Sequence, residues 1–438
     1  MRRLAAVLLV FVVATACTGN AGVSGSSVTV ASATTLSSVS SSNPSSVVSS
    51  SSTASVPTVV TTSTTPLLVD LLPLRVSYDE ETFGNAVMNS VTASRHGFVA
   101  VGVSLVDASR HGLVWMSSDG LAWARVSPIK PVFRDVTLRS ITAHGDGLVV
   151  VGTDDSETDI DAAVWRSDDG LAWVRVPHDD SIFGGNGDQI MVSVASFDGG
   201  LVAVGESSAA DEPTEAAVWV SLDGIGWTRI TSQDSVFEDS IMADVTAFGD
   251  LLVAVGFAFS GSGTNAAVWT SANGTDWTRV AHDGTVFGGN GDQMMVSVVS
   301  SNGMLVVVGF DQPGRGDSAV WTSTDASTWT RLPHDEAVFG AGEAGGVEMT
   351  SVEAYGQGFI ASGFQQSSGD MDAVMWTSPH GLVWERVTSE EPVFDGEDQQ
   401  RIASLSVLDE TIIAVGFQAP YGVSLDTNPD GVVWTLAP

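Results

Sequence analysis

Residues 267–298 read AVWTSANGTDWTRVAHDGTVFGGNGDQMMVSV, and residues 163–194 read AVWRSDDGLAWVRVPHDDSIFGGNGDQIMVSV. Each phrase carries two tryptophans eight residues apart. The first tryptophan of such a pair stands at 115, 165, 219, 269, 321, 376 and 434, and the second at 123, 173, 227, 277, 329 and 384. These positions account for all 13 tryptophans of the 438-residue chain. A repeat near fifty residues built of short β-rich runs points to a propeller and not a helical solenoid.

Four strand-like runs recur in every copy. The first is MNSVTA at 88–93, repeated as LRSITA, MVSVAS, MADVTA, MVSVVS, MTSVEA and IASLSV; the second is FVAVG at 98–102 and its equivalents. The third run ends in the first tryptophan, and the fourth begins at the second. β-Branched residues bounded by Gly, Asp and Asn are the expected strand signal. The last copy stops after Trp434 with no fourth run, while the region opens with Pro73-Leu74-Arg75-Val76, an orphan fourth run. Pairing the two closes a ring and removes an exposed sheet edge. The expected fold is all-β: a seven-bladed β-propeller of four-stranded blades, closed by the N-terminal strand. A Kelch-type propeller is the alternative name for the same architecture, but most copies lack paired glycines after the second run.

Between the tryptophans lies S-x-D-G-x-x-W: Asp119, Gly120 and Trp123; Asp169, Gly170 and Trp173; Asp223, Gly224 and Trp227; then Asn273, Gly274 and Trp277. A short Asp or Asn side chain can hold backbone N–H groups of a turn, and Gly accepts positive φ. This pattern resembles the Asp-box (BNR) repeat of sialidase-like propellers, with one residue fewer between Asp and Gly. The resemblance implies that these turns are structural and lie away from a catalytic face. The tryptophans are expected to pack on the next blade. The repeated Trp-x-Arg arginines (Arg125, Arg175, Arg229, Arg279, Arg331, Arg386, with Arg75) read as scaffold that covers Trp faces or pairs with carboxylates. Met88, Met191, Met242, Met295 and Met349 share one register and read as core. The serines two residues on are expected to be small for the taper near the axis, with Asp244 the exception.

The first residues follow a different logic. Arg2 and Arg3 precede LAAVLLVFVVATA and then Cys17, the only cysteine. A basic segment, a short apolar run and small residues make an export signal over 1–17. The Ala14-Thr15-Ala16-Cys17 sequence resembles the lipobox of bacterial lipoproteins, which implies acylation of Cys17; ordinary secretion is the alternative. Residues 18–66, mostly Ser, Thr, Val, Ala and Gly, cannot bury enough surface to offset ordering entropy and read as a disordered tether. Residues 67–438 form the propeller. The expected location is therefore the outer face of the cell membrane, with the membrane met only through the lipid.

The formal net charge is −35, from 52 acidic and 17 basic side chains. Such a surface repels nucleic acid and favours a soluble monomer. Arg139 and Arg401 fall in innermost runs and, with Asp244, are the candidates for a ligand face. Asp155, Glu157, Asp159 and Asp161 alternate in one loop and offer hard oxygen ligands for calcium, although Ile160 stands where an EF-hand needs Gly; a solvated acidic loop is the other reading. The triplet Arg315-Gly316-Asp317 resembles the integrin-recognition motif. His178, His282 and His334 recur at one position on separate blades, which argues against a metal site shared among them. A sialidase-like hydrolase would need clustered Arg, Tyr, Glu and Asp at the channel mouth. Only three tyrosines are present and no third inward arginine is evident, so no catalytic residue is assigned. The expected function is a non-catalytic binding or scaffolding module for a glycan or an envelope protein; the alternative is a glycoside hydrolase.

Overall fold

The computed structural model describes residues 71–437 apart from 107–108, 127–130, 157, 210–211, 231–233, 262, 313–315, 343–344, 368–369, 388–392, 395, 397 and 421–428. Cys17, the tether, Glu157 and Arg315 thus lie outside the described residues. Seven four-stranded antiparallel sheets follow one another around an axis. Blade 1 comprises Ala86–Ser94 (innermost), Gly97–Val106, Ser109–Ser117 and Ala124–Arg125 (outermost). The innermost strands of blades 2 to 7 are Val136–His144, Asp188–Phe197, Ser240–Phe248, Asp292–Ser301, Gly345–Tyr355 and Asp398–Leu408. Blade 7 lacks a fourth strand of its own, and Leu72–Arg75 supplies it, pairing with Asp430–Ala437 in the register Arg75 to Trp434.

The seven first tryptophans are fully buried, and each indole donates Nε1–H to a carbonyl in the linker entering its own blade. Trp115 reaches Thr82 O at 2.7 Å, Trp219 reaches Ile182 O at 2.7 Å and Trp434 reaches Val393 O at 3.1 Å. A buried polar tip needs such a partner, and the linker carbonyl provides it. The tryptophans pack on the preceding blade, not the next one: Trp219 and Trp227 lie with Val149 and Val151 of blade 2. Ring closure repeats the contact, since Trp115 packs with Ile413, Val415 and Val433 of blade 7. Arg125, Arg175, Arg229, Arg279, Arg331 and Arg386 each lie 5.5–5.8 Å from the centroid of the tryptophan ring beside them. Arg75, in the closing strand, donates instead to Gln418 of the same blade.

The S-x-D-G turns behave as their chemistry dictates. Asp119 Oδ1 accepts from Leu121 N and Ala122 N, both at 2.9 Å, and Ser117 Oγ accepts from Gly120 N at 2.8 Å. The same bonds recur at Asp169, Asp223 and Asn273. Gly120 stands at φ +76°, and a Cβ there would lie 2.5 Å from Ile413 Cδ1 of blade 7. The turn glycine is therefore fixed by backbone sign and by contact with the neighbouring blade.

The serine register does more than fit a taper. Every innermost strand carries a bulge just before it, between Leu138 and Ser140 for example. Beyond the bulge, Ser90 Oγ accepts from Ile141 N of blade 2 at 3.3 Å and Ser140 Oγ from Val194 N of blade 3 at 3.2 Å. Ser297 accepts from Val352 N (3.3 Å), Ser351 from Leu405 N (3.2 Å) and Ser404 from Val91 N (3.3 Å). At the remaining two junctions, Ser193 Oγ donates to Asp244 Oδ1 at 2.7 Å and Val298 N donates to Asp244 Oδ2 at 2.9 Å. Side chains thus staple all seven blade junctions, each giving a partner to a polar group at the inner sheet edge, where the ladder supplies none.

Candidate site at the channel mouth

Antiparallel connectivity sorts the loops onto two faces. The S-x-D-G hairpins and the first-to-second-strand hairpins share one; the inter-blade linkers and second-to-third-strand loops share the other, here the linker face. Innermost strands begin at the linker face, so the early residues of each line the channel mouth there.

The residue after the second-strand glycine marks one layer of that mouth. It is Phe257, Phe310, Phe364 and Phe417 in blades 4 to 7, but Val103, Thr153 and Glu206 in blades 1 to 3, and all are buried. The aromatic pattern breaks where polar groups collect. Arg139 occupies the bulge position of blade 2, where the other blades carry Asn89, Val192, Ala243, Val296, Thr350 and Ala403. A bulge turns a side chain out of the regular alternation, and Arg139 thereby meets the fields of Asp155 and Glu206, with Arg110 opposing.

Asp155 accepts from Thr137 Oγ1 at 2.8 Å and lies 3.8 Å from Arg110 Nη1. Glu206 is 2 % exposed, and burial pushes its carboxyl up to about 8; Arg139 opposes the rise and Asp188 adds to it. Desolvation thus keeps this acid largely in its neutral form at pH 7. Arg139 Nε, Thr153 Oγ1, Asp155 Oδ1, Glu206 Oε2, Gln189 Oε1 and His111 Nδ1 have no hydrogen-bond partner among the described residues. All six belong to the linker-face end of blades 1 to 3. Unspent buried polar atoms are uncommon, and each carries a desolvation cost of about 1–3 kcal/mol unless something satisfies it.

On blade 7, which adjoins blade 1 at the ring closure, Arg401 lies 5.0 Å over the Phe364 ring, its Nε likewise unpartnered among the described residues. Its neighbour Glu348 has the same register on blade 6, and burial raises that carboxyl to about 7, with Arg401 opposing. Arg139 and Arg401 are not equivalent positions: one is the bulge residue, the other precedes its blade's bulge by two residues. They stand in different registers, two blades apart around the ring.

Asp244 takes neither side. It is the acceptor of Ser193 Oγ, Val298 N and Val245 N, so its carboxylate is spent on blade junctions and not offered to a ligand. Glu353, half-buried further along blade 6, feels it: burial first and the Asp244 charge second raise Glu353 to about 7. The acidic loop does not form a calcium cage among its described residues. Asp155 is drawn inward by Thr137 and Arg110, Asp161 faces His178 at 3.7 Å across the linker, and Asp159 is exposed. Alternation in sequence sent these carboxylates to different neighbours. Tyr355 lies in the apolar cluster between blades 6 and 7, away from Arg139.

Glu348 was not singled out in the sequence, and Glu206 stood there only as one acid of a loop with Asp211, Glu212 and Glu215. The available signal was the break in the Val-Gly-Phe series at Val-Gly-Glu.

No protein-family model matches the chain, and no curated protein matches it. Solved structures are similar to it only at a low level. The phage phi92 endosialidase is similar at 12 % identity over 84 % of this chain and 69 % of its own, with a TM-score of 0.44. A Bombyx mori GH32 β-fructofuranosidase is similar at 12 % identity over 83 % of this chain and 92 % of its own, with a TM-score of 0.37. The Pyrococcus horikoshii acylaminoacyl peptidase is similar at 11 % identity over 79 % of this chain, which spans about half (53 %) of that protein, with a TM-score of 0.45. With every TM-score below 0.5 these likenesses carry no argument, and the seven-bladed β-propeller rests on the chain's own seven sheets.

Proposed function

We propose that this chain is an exported, lipid-anchored recognition propeller whose linker-face channel mouth binds a glycan through blades 1 to 3. One observation carries the reading: Arg139 Nε, Thr153 Oγ1, Asp155 Oδ1, Gln189 Oε1 and Glu206 Oε2 are unspent donors and acceptors at one end of the ring. A sugar presents hydroxyls that donate and accept on adjacent carbons, and such a mixed set matches them. Arg139 and Asp155 are half-buried, and Glu206 and Gln189 are buried. The basic-apolar N-terminus and Cys17 support export and anchoring, and the acidic surface supports a partner other than nucleic acid.

Glycoside hydrolysis is the second reading, and Glu206 favours it. A carboxylic acid kept protonated near neutrality is what a general acid must be, and Asp155, in the field of the same arginine, is the second carboxylate. Its 2 % exposure weighs against direct contact with a leaving group. Both readings share the ligand class.

The test is a glycan array probed with the parent chain and Arg139→Ala, followed by product analysis on any glycan bound. Saturable binding that Arg139→Ala abolishes is the expected result. A blank array sinks the glycan assignment. Release of product that Glu206→Gln abolishes while binding persists would replace recognition by hydrolysis.

A further inference from the structure

We propose that Asp317, His334 and Glu336 form a binding site for one divalent transition-metal ion of the zinc type, on the outer linker face between blades 5 and 6. Asp317 opens the third strand of blade 5, His334 follows its outermost strand, and Glu336 begins the short helix Glu336–Phe339 that leads into blade 6. One ligand atom from each lies within 4.8 Å of the others. His334 Nε2 is 3.1 Å from Glu336 Oε2 and 3.9 Å from Asp317 Oδ2. An ion held at about 2.1 Å in tetrahedral geometry keeps its ligands about 3.4 Å apart, and these two separations straddle that value.

Among the described residues, the protein's own groups do not neutralise this arrangement. Two carboxylates face one imidazole nitrogen, which has at most one proton to donate. Arg386 is the remaining cation felt by Glu336. Its nitrogens are already donated to Val338 O at 2.9 Å, Gln365 Oε1 at 2.8 Å and Gly340 O at 2.5 Å. Glu336 Oε1 accepts from Gly342 N at 2.9 Å, which fixes the carboxylate with Oε2 toward His334. A neutral imidazole with two carboxylates suits a borderline divalent ion over calcium, and waters complete the coordination.

The repeat supplies an internal series. At the preceding His position, His282 has Asn265 in place of Asp317 and Gly284 in place of Glu336. At His178 the acids Asp161 and Asp180 are present, with Asp161 at 3.7 Å, but among the described residues only the His334 group converges three ligand atoms. The scaffold position is thus common to three copies, two of them carry a His with two acids, and among the described residues the three ligand atoms converge in one.

The experiment is calorimetric titration of zinc chloride into the chelator-treated full chain, in excess calcium chloride to occupy the acidic surface. One equivalent is expected, with His334→Gln and Asp317→Asn each weakening binding at least about tenfold and His282→Gln leaving it unchanged. Zinc is also expected to raise the parent's melting temperature, because it ties a blade 5 strand to the linker, and not that of His334→Gln. Both variants alter partly exposed side chains, so equal melting temperatures without metal show that folding is intact. Titrations with no saturable equivalent overturn the proposal. So does loss of binding equal in His282→Gln and His334→Gln, which would mean diffuse attraction to an acidic surface.

Discussion

Replacing Glu206 by Gln tests the electrostatics of the channel mouth directly. In the folded chain its carboxyl is raised from 4.5 to about 8, with burial the first cause. The folded state therefore holds a proton that the unfolded state releases, and this group's contribution to stability is lost as pH rises toward 8. At about 1.4 kcal/mol per pKa unit, Glu206 alone makes the parent about 3 kcal/mol less stable at pH 9 than at pH 6. Glutamine reproduces the shape of the neutral acid without titrating. Glu206→Gln should match the parent only below about pH 4.5, exceed it by about 2 kcal/mol at pH 6 and by about 5 kcal/mol at pH 9, flattening the fall between those two by about 3 kcal/mol. Glu348 and Glu353, both raised to about 7, keep a residual slope in the variant. Denaturant unfolding followed by tryptophan fluorescence at several pH values reads the difference. Equal pH dependence in the two proteins would refute the claim that Glu206 is buried uncharged, and with it the account of Arg139 as its incompletely compensated neighbour.

Two further outcomes follow from the ring. Ser351→Ala leaves Leu405 N without its 3.2 Å acceptor at a buried junction, and should cost about 1–3 kcal/mol in the same unfolding assay; a cost near zero would mean the staples follow blade packing without supporting it. Deleting residues 71–76 removes the strand paired with Asp430–Ala437 and bares that edge, so the variant should aggregate on size-exclusion chromatography, and a monomer with unchanged melting would show that closure is dispensable.

The architecture was legible in the sequence because its signals are local and repeated. Tryptophan spacing counted the blades, S-x-D-G named the turns, and the orphan Pro73-Leu74-Arg75 run revealed the closing strand; none of these needs knowledge of what lies across the ring. What depended on direction in space was not legible. Ser90 and its equivalents looked merely small, yet each reaches a neighbouring blade, 51 residues away for Ser90 and 313 for Ser404 at the ring closure, because the bulge before it turns its side chain outward. Arg139 and Arg401 looked alike as inward arginines, but one is its blade's bulge residue and the other precedes its bulge by two residues. Asp155 and Asp161 looked like partners and turn to different neighbours. Asp244 looked like a ligand group and is spent on Ser193, Val245 and Val298. Glu206 acquires its chemistry only where the Phe series of the second strands breaks, since the absence of solvent, and not its residue type, sets its protonation. Sequence periodicity determined the ring; tertiary structure decided which polar groups were left without partners, because burial and pairing are properties of neighbours that the chain brings together only when it closes.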